Sequence, residues 1–239
     1  MGILPMRRRD VPSLQVAQAF QPVHARVKEG CATSIQGRDA PDTHGRDGHA
    51  TKKTHGRDGH ATEGSMVELV LNDEHLDGVL NQALALSTRR LFISTADVKD
   101  LHVPTGGKRS RSILQEFRGL SKRGVEIRLL HGGVPSGAFI NDLKKNMPPN
   151  LVMRRCPRVH AKAIIADGKW MYLGSANLTG AGIGAKSARR RNFEAGVWTD
   201  DVRLIDPVAD MLDGIWTAIQ CPDCDRKKYC PVPLEEPEL

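Results

Sequence analysis

The chain has 239 residues, 39% hydrophobic and only 4% aromatic. That suffices for one good-sized domain with tails, whose core must be built from Leu, Val, Ile and Ala. A formal net charge of +7 and a pI near 9.3 favour phosphate-bearing partners, whether nucleic acid or an anionic lipid surface, while the shortage of rings argues against a base-stacking platform. No run reaches the roughly 18 apolar residues of a membrane span, and MGILPMRRRD leads into no signal-length apolar stretch, so the chain reads as soluble and cytoplasmic.

Residues 1–64 carry a tandem repeat, THGRDGHATKK at Thr43–Lys53 followed by THGRDGHATEG at Thr54–Gly64. Both copies are polar and Gly-rich without apolar periodicity, so the segment cannot bury a core and reads as a disordered tail. Regular structure is expected from Met66, which we read as the native start.

From there strand and helix signals alternate. VELVL predicts a strand, and the stripe Leu76, Val79, Leu80, Ala83, Leu84 a helix over Glu74–Leu86. LFIST is a second strand. Ile113, Leu114, Phe117 and Leu120 predict a helix over Ser110–Lys122, stopped by Gly124 before the strand VEIRLL. Phe139–Lys145 is a short helix, and LVMRR, HAKAIIAD and KWMYLGS are strands, the last two joined by a hairpin at Asp167-Gly168. NFEAGVW is a further strand. Val202–Ile219 closes the pattern as a helix with Leu204, Ile205, Val208, Met211, Leu212 and Ile215 on its apolar face. The fold class is α/β, a mixed sheet flanked by helices, with the folded domain at 66–219 and a Cys-containing tail at 220–239.

One segment, VHAKAIIADGKWMYLGSANLTG, concentrates the chemistry. It reads H-x-K-x4-D-x6-G-S-x-N at His160, Lys162, Asp167, Gly174, Ser175 and Asn177. On a strand, residues i and i+2 face the same side, so His160 and Lys162 project together, and the hairpin returns Ser175 and Asn177 beside them. An imidazole that attacks phosphorus, with ammonium, amide and hydroxyl donors on the non-bridging oxygens, suits a phosphodiester. The segment lacks the carboxylate cluster of two-metal phosphodiesterases, so no catalytic cofactor is expected.

The segment resembles the HKD motif of the phospholipase D superfamily, which includes lipases, metal-independent nucleases and phospholipid synthases. The resemblance implies a phospholipase D-like fold over about 66–219. It makes His160 the nucleophile or the acid, Lys162 and Asn177 phosphate ligands with Ser175 beside them, and Asp167 structural or orienting. Glu194 in RNFEAG fits the position of a family acid that orients the histidine.

Only one HxK is present, and one imidazole cannot stand on both sides of phosphorus, so a homodimer with both motifs at its axis is expected. Arg154, Arg155, Arg158, Lys186, Arg189, Arg190 and Arg191 flank the motif and suit a phosphate-tracking groove, and the loop TGGKRS offers Lys108 and Arg109 to a substrate backbone without the spacing of a nucleotide-binding P-loop. Cys221, Cys224 and Cys230 form C-x2-C-x5-C, a zinc or iron-sulfur knuckle that needs a fourth ligand such as Cys156. The reading is a homodimeric, metal-independent nuclease working through a phosphohistidine. The alternatives are a lipid phosphodiesterase and a nucleic-acid-binding subunit of a defence complex.

Overall fold

The computed structural model describes residues 64–106 and 109–237, all within one compact unit. Of the tail expected at 1–64, all but Gly64 lies outside the described residues, as does Lys108. Nine strands and four α-helices follow in chain order among the described residues: β1 (Val67–Leu71), a π-helical stretch at His75–Asn81 running into α1 (Gln82–Leu86), β2 (Arg90–Thr95), β3 (His102–Pro104), β4 (Ser110–Ser112), α2 (Ile113–Lys122), β5 (Glu126–His131), α3 (Gly137–Asn146), β6 (Leu151–Arg155), β7 (Lys162–Ala166), β8 (Trp170–Gly174), β9 (Ala195–Thr199) and α4 (Val202–Trp216).

Seven strands form one mixed sheet in the order β1-β9-β8-β7-β2-β5-β6. β2, β5 and β6 run parallel, and β7, β8, β9 and β1 continue from β2 in antiparallel steps. Alternation of side chains divides the core between two faces. Leu91, Ile93, Ile127, Leu129, Ile164, Tyr172 and Trp198 pack against α1, α2 and α3. Phe92, Leu130, Ala163, Ile165 and Met171 pack against Ile205, Leu212 and Trp216 of α4. The expected mixed sheet flanked by helices is therefore present.

Local chemistry sets the element ends. The side chains of Ser112, Ser136 and Asp201 cap the N-termini of α2, α3 and α4 by accepting from Leu114 N, Phe139 N and Arg203 N. α2 buries Ile113, Leu114, Phe117 and Leu120, each contributing roughly 1.5–3 kcal/mol. Ser110–Ser112, expected to open that helix, instead pairs with His102–Pro104 in a small two-stranded sheet; the short polar SRS is edge hairpin, and the helix waits for its serine cap. On α4 the expected face is too broad, because Leu204 and Met211 are exposed. Ile205, Leu212 and Trp216 make the contact with the sheet. Trp216 also carries Arg154, whose guanidinium lies 4.6 Å from the ring centroid.

Candidate active site

The strand directions bring one end of each central strand to a common rim. Thr95 ends β2, His131 ends β5 and Arg155 ends β6, while Lys162 opens β7 and Gly174, its partner in register, ends β8. Ala195 opens β9 opposite Leu71 of β1. Crevices outside the carboxyl ends of parallel strands are the usual ligand positions of open α/β sheets.

His160 lies two residues before β7 rather than on it and is exposed. Its ring has no hydrogen-bond partner among the described residues, so it is free to meet a substrate. Lys162 is only 8% exposed, and its Nζ donates to the His160 carbonyl at 2.8 Å. The lysine thus fixes the backbone that carries the histidine. Among the described residues no carboxylate lies within 4.0 Å of that ammonium, so its buried charge has no counter-ion of its own.

Asn177 is fixed from the other side. Its Oδ1 accepts from Ala96 N, Asp97 N and Thr95 Oγ1 at 3.1, 3.1 and 3.2 Å. Three donors on one carbonyl oxygen fix the amide's orientation and leave Nδ2 without a partner among the described residues. Ser175 donates through its hydroxyl to Glu194 and accepts from Ala195 N. Glu194, expected beside His160, therefore orients Ser175, and its other oxygen accepts from Asn192 Nδ2 at 2.9 Å.

Asp167 sits apart, at the far end of β7 from Lys162. It occupies a left-handed position (φ 54°) followed by Gly168 (φ 70°), a pair that makes the tight hairpin turn. Its carboxylate accepts from the backbone N–H groups of Thr88, Arg89 and Arg90 and from Thr88 Oγ1. Partial burial works to raise its pKa, but these donors outweigh it and hold the group down at about 2. Its contacts fasten the hairpin to the start of β2.

The basic residues separate similarly. Arg154 donates to the Trp216 carbonyl, Arg155 pairs with Glu235, Arg158 reaches the Cys224 sulfur and Arg191 pairs with Asp73. Arg109 is exposed in the β3–β4 turn, where its carbonyl accepts from Thr105 N. Lys186, Arg189 and Arg190 are exposed on the segment after Asn177, with no acidic partner among the described residues.

Tyr172 is the residue that motif spacing did not single out. Fully buried on β8, it links the turn to the core: its hydroxyl meets His75 Nε2 at 2.9 Å and accepts from Ala176 N at 3.1 Å. Burial pushes its pKa up to about 12. A Cβ at position 196 would lie 2.3 Å from the ring, so Gly196 is required by the close approach. Reading KWMYLGS as a strand covers Tyr172 but does not name its partners.

A family model described as "Cardiolipin synthase, PLD-like domain" matches residues 80–216. The chain belongs to the phospholipase D superfamily. The matched span of this phosphodiesterase superfamily contains His160, Lys162, Ser175, Asn177 and Glu194. Among solved structures, the phospholipase D-like chain is similar to NucT from Helicobacter pylori, with 17% identity and a TM-score of 0.47 over 62% of this chain and 93% of that one. It is also similar to Nuc from Salmonella typhimurium, described as a phospholipase D family member, with 17% identity and a TM-score of 0.49 over 64% and 95%. No curated protein matches the chain. No helix among the described residues is long and apolar enough to cross a membrane.

Proposed function

We propose that this protein is a metal-independent nuclease whose active site is completed by a second copy of the chain. The observation that carries this reading is the buried, counter-ion-free Lys162 ammonium beneath the exposed His160, with the Asn177 amide aimed by its clamped oxygen. A buried unpaired cation is costly, and a phosphate oxygen is the partner that offsets the cost.

In the first step the His160 imidazole attacks phosphorus and the bond to the leaving oxygen breaks, that oxygen taking a proton from the second chain's His160. In the second step water attacks the phosphohistidine, gives its proton to the second chain's His160, and the P–N bond breaks to release the first. Lys162 and Asn177 Nδ2 hold the non-bridging oxygens throughout, and Ser175, oriented by Glu194, lies beside them.

Two surface features support the substrate and the dimer. Lys186, Arg189 and Arg190 project from the segment that leaves the Asn177 turn, where they can follow a polyanionic backbone. Exposed Val67, Leu69 and Leu71 share one face of edge strand β1. Leu69 continues in register through Val197 to Leu173, giving an apolar row beside Ala195 and Glu194 that fits a second copy.

The test is cleavage of single- and double-stranded DNA and RNA, and of phosphatidylcholine vesicles, in EDTA. Wild type is expected to cut nucleic acid with chelator present, and His160→Ala to lose on the order of 10³-fold or more. Cleavage of lipid alone, or DNA binding without cleavage of either, would overturn the reading.

A further inference from the structure

The chain after α4 has almost no apolar reason to be where it is. From 219 to 233 every residue is exposed except Cys221, Cys224 and Cys230. The segment's only helical turn is a single 3-10 turn at Lys227–Tyr229. A stretch that buries no hydrophobic side chain gains too little from water exclusion to offset its ordering entropy. Something other than a core must hold it.

The three half-buried thiols identify the place. They meet Cys156, which directly follows β6, around one cavity of about 190 Å³ that Arg158 and Leu234 also line. All four cysteines are free thiols. Four thiols lining one cavity are the donor set that a soft cation takes. As the side chains stand, no three His, Cys, Asp or Glu groups among the described residues are arranged to hold a metal ion, so binding must draw the sulfurs inward by rotation of their side chains.

We propose that Cys156, Cys221, Cys224 and Cys230 form a tetrahedral four-thiolate zinc site that clips the C-terminal segment to the turn leading into His160. The four thiols release their protons to solvent as Zn²⁺ binds, and no redox step is involved. The clip acts on the catalytic segment through Cys156, whose N–H donates to the His131 carbonyl and whose carbonyl accepts from Val159 N, both at 2.9 Å. Val159 immediately precedes His160. The metal is structural: its four ligands are all protein thiolates, and no position is left open for water.

Elemental analysis of the full chain, purified without chelator, tests the site. Wild type is expected to hold about one zinc per chain, and Cys156→Ser and Cys224→Ser below about a tenth of that. His160→Ala should hold as much zinc as wild type, which keeps this result separate from the nuclease reading. In case a serine variant fails to fold, cobalt exchanged into intact wild type should show the visible bands of tetrahedral cobalt thiolate. Zinc-free wild type with four readily titrated thiols in this cluster, full zinc in Cys156→Ser, or iron with a cluster absorbance would each overturn the proposal.

Discussion

Asn177 and Asp167 are both polar residues of one motif, yet their surroundings give them different work. Asn177 offers Nδ2 because Oδ1 is consumed by three donors. Asn177→Asp keeps an acceptor for those donors while replacing the outward amide by an oxygen that repels phosphate. The expected result is a thermal midpoint within a few degrees of wild type and a fall in kcat/KM of about 10²-fold or more, read by melting and by steady-state cleavage. Asp167 shows the reverse behaviour. Its folded pKa of about 2 lies below the ordinary 3.8, so the stability it contributes is fully present above about pH 4 and is lost as pH falls toward 2. Asp167→Asn should therefore destabilise by on the order of 1 kcal/mol at pH 7, an amount limited by the carboxylate's contact with water. The gap from wild type should close between pH 4 and 2 in urea titrations. Cleavage at pH 7 should stay within about twofold of wild type, because the carboxylate fastens a turn at the far end of the strand.

At the scale of elements, the turn carrying Ser175 and Asn177 depends on a side chain in the strand before it. Tyr172→Phe leaves the ring in place but strips Ala176 N and His75 Nε2 of their common partner. A loss of about 1–3 kcal/mol follows from the unpaired buried groups, with kcat falling more than KM rises if the turn then fails to hold Asn177 in place. Chemical denaturation and a kcat-against-KM comparison check both parts. This dependence marks the boundary of what the sequence made legible. Apolar periodicity located β1, β2, β5 and β6 and the buried faces of α1 and α2, because period 2 and period 3.6 are properties of neighbouring residues. Fixed spacing likewise singled out His160, Lys162, Ser175 and Asn177 as candidates. Tyr172 with His75, Glu194 with Ser175, and Arg154 with Trp216 are pairs made by folding between distant segments, and no local pattern encodes them. Placing His160 on a strand failed for a related reason: Val159 N turns back to the Cys156 carbonyl, and pairing starts only at Lys162. The lysine that looked like the histidine's neighbour on a pleat instead reaches under its backbone.

For the whole molecule, the proposed mechanism makes the single HxK half of an in-line displacement. If both imidazoles of a dimer serve one phosphorus, a chain lacking His160 must disable the partner it pairs with. Wild type and His160→Ala, mixed in equal amounts and allowed to exchange subunits, assort at random. Only about a quarter of the dimers are then wild type on both sides. Activity per total protein should fall to about a quarter of wild type, whereas a site contained within one chain would leave about half. Leu69→Arg supplies the complementary measurement. Leu69 is 64% exposed on β1, so charge there should leave the fold of the isolated chain intact while opposing burial of the apolar row against a second copy. Sedimentation should then show a 26.2 kDa species with cleavage reduced at least tenfold at micromolar protein and partly restored at higher concentration, as mass action on a weakened dimer requires. A fully active monomer would remove the need for a second chain and, with it, the account of how one histidine serves both faces of the phosphate.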